Sequence, residues 1–579
     1  MGGSNCENEN ASTIQHSAAA SIEKQKINIP IWMLTGLVAC VAVVMVFFTV
    51  DLYEKELKFS DYDFSPLPPA SLPSLGPLIP LYHQDPPPAE PNPKHWQHRA
   101  NQVAAAFQHA WHGYARDAFG KDEYHPLSRN GSNWTPNGIG LTIIDALDTM
   151  LLMGLRTEYE QCRNWIAKSL TFDQNGSVNV FETTIRVLGG LLSAFHLSGG
   201  DSLYLKRAQE LGDKLLAAFD TPSGIPWANV RLDVPSGVRP QAYRGASSTA
   251  EATTVQLELR YLSHLTGDRR YWDAAERVMQ HMESLPGKID GLVPIFLHPI
   301  TGNFMGQEIR LGSRGDSYYE YLLKQYVQTA GTEPVYRQMY DEAMRGVKKH
   351  LIGFSGPSAL LYIGEMPYAR THPNYLRPKM DHLVCFMGGN LALGASGGYP
   401  LSAINTTLAD RNDLRVAEEL TRTCFEMYNR TRTGLAPEIV YFDVDENAIS
   451  DMLMKPRDQH YLLRPETVES LFILWRVTED EKYREWAWKI FQSIENHARL
   501  HAGGYTNIES INHIPAPRLD KMETFFLSET LKYLYLTFLP TDVIPLNRYV
   551  FNTEAHPLPI FHPRWNTSLE WEKSRQAWI

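Results

Sequence analysis

From residue 95 onward, helix-length stretches with apolar residues every three to four positions alternate with Gly, Pro and Asn punctuation. They include RANQVAAAFQHAWHGYARDAF (99–119), TIRVLGGLLSAFHLSG (184–199), TTVQLELRYLSHLTG (253–267), DSYYEYLLKQYVQTAG (316–331) and ETVESLFILWRVTED (466–480). Three junctions read alike: HLSGGDSLYLKRAQEL, HLTGDRRYWDAAERV and RVTEDEKYREWAWKI. Each joins an apolar helix through a short turn with Gly or Asp to a helix bearing Tyr or Trp. The recurrence predicts helix hairpins repeated without a strict period. Roughly a dozen or more helices with few strand signals predict an all-α body, either a closed ring or an open solenoid of hairpins. The ring is preferred, because the carboxylates described below recur at one end of successive hairpins.

The first 94 residues are different. Ile31–Val50 carries no charged residue, and its length matches the ~20 residues that span a bilayer. The following FFTVDLYEK has no small-x-small cleavage site, so the run reads as an uncleaved signal anchor. Lys24 and Lys26 precede it and Lys55 and Lys58 follow it, which leaves the positive-inside count tied. Asn-x-Ser/Thr acceptors at Asn130, Asn133, Asn175, Asn405, Asn429 and Asn566 favour a lumenal body and a single-pass type II topology. The Pro-rich stretch 65–93 reads as a stalk. The expected plan is a cytoplasmic tail (1–30), a transmembrane anchor (31–50), a Pro-rich lumenal stem (51–94) and a helical catalytic domain (95–579).

A net charge of −11 with no long basic run argues against a nucleic-acid partner. The five cysteines form no CxxC pair, so a structural zinc site is not expected. Cys162, Cys385 and Cys424 lie in the body and allow one disulfide and one free thiol. HExxH and P-loop motifs are absent. Gly394-Ala-Ser396-Gly-Gly398 matches GxSxG by letters, yet it follows a helical run and reads as a glycine-rich helix end.

What stands out is a set of carboxylates in apolar, aromatic surroundings. Glu182 precedes Arg186 by one helical turn; Asp316 and Glu320 are spaced i, i+4; Glu438 follows Pro437; Glu466 and Glu469 are spaced i, i+3; Glu529 and Glu554 lie further on. Any one of them is ordinary as a helix-start acid. Together, at the starts of otherwise apolar helices, they suit glycoside hydrolysis, which needs one acid for the leaving oxygen and one base for water. Repulsion and burial separate the pKa values of such a pair, and surplus acids can arrange a hard cation. Arg186, Arg314, Arg464 and His382 would supply counter-charge and hydrogen bonds to hydroxyls.

The motifs GLTIIDALDTMLLMGL, FETTIRVLGGLLSA, DSYYEYLLKQ, KMDHLVCF, LLRPETVESL, KMETFFLSETLKYL and VFNTEAHPLP, in this order between about His95 and Pro559, resemble the class I α-1,2-mannosidases, glycoside hydrolase family 47. The resemblance implies an (αα)7 barrel closed by a C-terminal β-hairpin. It implies an inverting, calcium-dependent exo-mannosidase acting on high-mannose N-glycans of glycoproteins, in maturation and quality control, in the endoplasmic reticulum or early Golgi membrane. Carried over, Glu182 or Asp316 is the general acid, Glu466 the base, Glu438 a further active-site acid, and Thr553 the Ca²⁺ ligand. Arg186, Glu251, Arg314, Glu320, His382, Arg464, Glu469, Phe525, Glu529 and Glu554 bind substrate. Cys385 and Cys424 match the family's disulfide, leaving Cys162 free. Arg314 matches the endoplasmic-reticulum branch, which implies removal of one middle-branch mannose, Man9GlcNAc2 to Man8GlcNAc2. Two other readings compete: a mannosidase-like glycan receptor with little hydrolysis, against which the disulfide match and short C-terminus weigh, and a Golgi-type enzyme of broader branch choice, against which Arg314 weighs.

Overall fold

The structure, a computed structural model, describes residues 93–565. The expected tail, anchor and stem up to residue 92 and the acceptor at Asn566 lie outside the described residues. The longer helices are α1 (Pro93–Asp117), α2 (Leu147–Met153), α3 (Arg156–Lys168), α4 (Gly189–Leu197), α5 (Ser202–Leu215), α6 (Gln256–Thr266) and α7 (Arg269–Ser284). They continue with α8 (Asp316–Gln328), α9 (Pro334–His350), α10 (Phe386–Ser396), α11 (Leu408–Asn429), α12 (Glu466–Thr478), α13 (Lys482–His497) and α14 (Leu531–Thr537).

The three look-alike junctions share one construction. The first helix of each ends at a residue in the left-handed region: Gly199 and Gly200, Gly267, or Glu479 at φ 59°. An aspartate then accepts a backbone N–H of the next helix. Asp201 takes Leu203 N at 3.1 Å, Asp268 takes Arg270 N at 2.9 Å, and Asp480 takes Lys482 N at 2.9 Å. The sequence repeat is therefore a repeat of chain reversals.

Helices pack as pairs: α2 with α3, α4 with α5, α6 with α7, α8 with α9, α10 with α11, α12 with α13, and α14 with α1. The first members are apolar nearly all round. Every residue of α10 is buried, as are ten of the thirteen in α12. The second members bury one stripe, for example Val335, Tyr336, Met339, Tyr340, Ala343, Met344 and Val347 of α9. That division places the first members inside and the second outside. Inner neighbours touch in succession: α2–α4, α4–α6, α6–α8, α8–α10, α10–α12 and α12–α14. The turn Phe526–Thr530, which leads into α14, touches α2 again. Glycine permits the closest approach, since a Cβ on Gly388 of α10 would lie 2.2 Å from Thr421 Oγ1 of α11.

Strands are short, as the weak strand signal anticipated. Among the described residues they form sheets of two or three strands, the longest strand being Ile439–Phe442. Near the C-terminus, Tyr549–Phe551 pairs antiparallel with Pro557–Pro559, with Val550 opposite Leu558. The first strand of this hairpin touches α8 and the second touches α4. Cys385 and Cys424 are disulfide-bonded with Cα atoms 5.9 Å apart, tying the start of α10 to α11; Cys162 is free and buried. The GxSxG letters fall at the end of α10, where Gly397 is left-handed and caps the helix. Among the described residues no helix is long and apolar enough to cross a membrane.

Candidate active site

The acids noted in the sequence sit at the starts of α8 and α12, at the end of the short helix Val180–Glu182, in the π-helical turn Phe526–Thr530, at the tip of the C-terminal hairpin and, for Glu438, just before the strand Ile439–Phe442. Glu182 ends the short helix Val180–Glu182, whose backbone is capped by Asn179 Oδ1 accepting Glu182 N at 2.8 Å. A π-helical turn, Thr183–Leu188, follows directly, and a second one, Phe526–Thr530, carries Glu529. Such turns re-aim side chains and concentrate at functional sites. Beyond the first turn, Gly189 lets the hairpin come close, because a Cβ there would lie 2.6 Å from Asn552 Nδ2.

Three groups of contacts result. In the first, Arg186 donates through Nε to Glu182 at 2.7 Å and through Nη1 to Glu554 at 2.5 Å and Thr524 Oγ1 at 3.2 Å. In the second, Arg464 donates to both oxygens of Glu438 (2.5–2.9 Å) and lies 3.7 Å from Glu466. His382 Nδ1 meets Glu466 Oε2 at 2.7 Å, while its Nε2 faces Tyr428 OH and Thr467 Oγ1 at 2.9 and 3.1 Å. In the third, Lys324 lies between Glu320 at 2.5 Å and Glu469 at 3.5 Å, and Thr553 Oγ1 donates to Glu320 at 2.8 Å. Phe525 joins the first two groups, with the Arg186 and Arg464 guanidinium carbons 5.5 and 5.8 Å from its ring centroid.

The electrostatics divide these acids. For Glu466 burial favours the neutral form, but the His382 hydrogen bond and the Arg464 charge outweigh it and hold the carboxyl below its ordinary range. Asp316 makes its hydrogen bonds to the Ser317 amide and hydroxyl. Burial, with the charges of Glu320, Asp381 and Glu466, pushes it up to about 7. Burial and neighbouring carboxylates push Glu469 up to about 8 against the pull of Lys324. Glu529 rises well above the usual range through burial and the charges of Glu554, Glu466 and Glu469, and Glu554 through burial against the pull of Arg186.

Glu182, Asp316, Glu320, Glu438, Glu466, Glu469, Glu529, Glu554, Arg186, Arg464, His382, Phe525 and Thr553 are thus linked by contact or by charge. Two expected site residues lie outside these three groups, on the border of the site. Glu251 accepts from Asn179 Nδ2 at 3.2 Å, and Arg314 contacts Tyr243 and Phe296. A cavity of about 500 Å³ opens beside Glu182 and Arg186 and is also lined by Trp134, Asn179, Lys521 and Thr524. Trp134, Asn179 and the counter-ion Lys324 were not singled out from the sequence. Lys324 follows Glu320 by four residues on α8, a readable signal; Trp134 lies in a loop without periodicity, and Asn179 ends a strand of only three residues, Ser177–Asn179.

Among the described residues no group of three or more His, Cys, Asp or Glu side chains is disposed to hold a metal ion. The hairpin tip nonetheless offers hard oxygen donors in the Thr553 hydroxyl and carbonyl. The hydroxyl of Thr553 is turned to Glu320, and the raised carboxyls of Glu469 and Glu529 reflect buried negative charge short of compensation.

Comparison with known proteins bears on this geometry. Residues 106–560 match Glycosyl hydrolase family 47. The mannosyl-oligosaccharide 1,2-alpha-mannosidase MNS3 of Arabidopsis thaliana is 47% identical over 502 residues, 80% of each chain. The endoplasmic reticulum mannosyl-oligosaccharide 1,2-alpha-mannosidase of Homo sapiens is 47% identical over 500 residues, 85% of this chain and 68% of that one. The solved alpha-1,2-mannosidase from Trichoderma reesei superposes with a TM-score of 0.73 at 30% identity, covering 82% of this chain and all of the other. The chain belongs to glycosyl hydrolase family 47.

Proposed function

We propose that this chain is an inverting exo-α-1,2-mannosidase of the endoplasmic reticulum that trims high-mannose N-glycans, chiefly Man9GlcNAc2 to the Man8GlcNAc2 lacking the middle-branch mannose. The relatives named mannosyl-oligosaccharide 1,2-alpha-mannosidase support the substrate class. The observation that carries the reaction is a pair of neighbouring carboxyl groups of opposite bias: Glu466 held below its ordinary range by His382 and Arg464, and Asp316 pushed up to about 7 by burial and the charges of Glu320, Asp381 and Glu466. We assign Glu466 as the base that takes a proton from the attacking water, and Asp316 as the acid that protonates the departing glycosidic oxygen. The new bond forms from water to the anomeric carbon as the bond to the leaving oxygen breaks, with inversion. Glu182 already accepts from Arg186, which suits it to orienting a hydroxyl or a water. Glu438 fixes Arg464 and Phe525 offers an apolar face, so both act as parts of the sugar-binding wall.

For the scaffold we infer an (αα)7 barrel with the 549–559 hairpin in its bore; the succession of inner contacts from α2 to α14 and back supports it. The Thr553 hydroxyl and carbonyl are the assigned protein ligands of Ca²⁺. When bound, this ion would clamp sugar hydroxyls and orient water. The deciding experiment is incubation of the full-length chain with Man9GlcNAc2, with and without EDTA, followed by separation of product isomers. A single Man8 isomer that disappears on chelation and returns with calcium is expected. Bound but uncut Man9 would overturn the reading in favour of a receptor, and a mixture of isomers would overturn the branch assignment.

A further inference from the structure

Arg314 stands two residues before Asp316 with a left-handed backbone, φ 75°. Facing it, Tyr243 and Arg244 are also left-handed, at φ 50° and 56°. Three non-glycine residues in that sparsely populated region, gathered at one place, mark a conformation held by its surroundings. The contacts show what is held. The Arg314 guanidinium lies 4.4 Å from the Tyr243 ring centroid and 5.4 Å from that of Phe296, and Nη2 donates to Tyr243 OH at 3.1 Å. The Tyr243 and Phe296 rings stack at 4.6 Å and 29°.

The rings have a rigid base. Phe296 is the middle-strand partner of Ser248, and Ser248 begins the short helix carrying Glu251 by capping its backbone at 3.1 Å. Ala250 N donates to Arg314 O at 2.9 Å, and Glu251 accepts from Asn179, a wall residue of the cavity. The turn Ala242–Gly245, the strand with Phe296 and the Arg314 backbone are thereby one unit bordering the site. Tyr243 nevertheless remains 51% exposed. A half-exposed ring on a strained backbone gains little by burial, and its contacts are those with Arg314 and Phe296.

We propose that Tyr243 is a positioning residue for branch choice: stacked on Phe296, it clamps the Arg314 guanidinium in the one orientation that admits the middle branch. A guanidinium is planar, and stacking on aromatic faces removes the freedom that its long chain otherwise has. Without the clamp the same charge would sweep a larger volume and exclude other branches less strictly. The inference rests on the proposed trimming reaction and deepens it.

The test compares the full-length chain with Tyr243→Ala and Tyr243→Phe on Man9GlcNAc2, scoring product isomers, kcat and KM. Tyr243→Ala is expected to raise the share of other Man8 isomers and smaller products roughly three-fold, the size of an exposed cation–π contact. Its KM for Man9 should rise with kcat little changed, a split that general loss of structure would not give. Tyr243→Phe keeps the stacked ring and should retain the wild-type isomer. An unchanged isomer pattern in Tyr243→Ala overturns the proposal, as does a Phe variant as permissive as the Ala variant. If the wild-type chain itself yields no single isomer, it is the underlying trimming assignment that fails.

Discussion

Two clusters of buried charge lie side by side among the inner helices. Behind the hairpin, His556 is held between Asp148 at 2.7 Å and Asp145 at 3.1 Å, and Lys532 meets Asp148 at 2.9 Å. All four side chains are fully buried, two acids against two cationic groups. Burial opposes the charge of Asp148, yet Lys532 and His556 outweigh it and bring the carboxyl down to about 2; Asp148 and Asp145 in turn raise His556. On the cavity side of the hairpin the ledger does not balance. Glu320, Glu469, Glu529 and Glu554 share Lys324 and Arg186, and three of the four are driven upward. Desolvation burdens both clusters alike. Perturbed carboxyls of this kind gather at functional sites, and under the proposed function the front cluster is the one that meets the substrate; Asp145, 3.8 Å from Arg186, joins the two clusters.

Removing the working acid should produce the largest effect. Glu466→Gln is expected to lower kcat on Man9GlcNAc2 by about 10³-fold with little change in KM, in the range of a lost general base. Initial rates decide it, and a drop below about ten-fold would remove Glu466 from that role. Next in size is the balanced cluster itself. Lys532→Met leaves Asp148 buried with one partner fewer and should cost about 3–5 kcal/mol in urea unfolding. Glu529→Gln, on the open side, removes a charge that its neighbours already disfavour, so its cost should be within about 1 kcal/mol of zero. Equal losses from the two variants would mean that the open cluster is ordinary core electrostatics.

How much of this was legible from the chain depends on the range of the interaction. Helix hairpins could be read because each turn is local: Asp201, Asp268 and Asp480 cap the helix that follows them within two residues. The carboxylates could be read as chemistry only as a set, since each alone is an ordinary helix-start acid. Their grouping could not, since Arg186 meets Glu554 across 368 positions and His382 meets Glu466 across 84. Nor could the sorting of acids into ionised and protonated, which depends on whether an arginine or another carboxylate faces each one. The balanced cluster went unnoticed altogether. Asp145, Asp148, Lys532 and His556 sit in the very motifs that drew attention, but a buried ion pair has no signature until both partners are placed.

The same contrast should be visible as two opposite slopes of stability against pH. Asp148 is lowered on folding from 3.8 to about 2, so its contribution is fully present above pH 3.8 and is lost as pH falls toward 2. Asp316 moves the other way, from 3.8 to about 7, and Glu258, buried under the hairpin against Asn552 and Tyr321, from 4.5 to about 7. Between about pH 4 and 7 these two groups therefore keep protons in the folded chain that the unfolded chain releases, and their contribution to stability falls as pH rises through that window. In EDTA, urea unfolding from pH 4.5 to 7.5 should show a decline of roughly 1 kcal/mol or more for each such group. Asp316→Asn should flatten part of that decline, because the amide has no proton to lose. A stability that is flat or rising across this range in EDTA would mean that these buried acids are compensated within the protein, and that the difference between the two clusters is one of position alone.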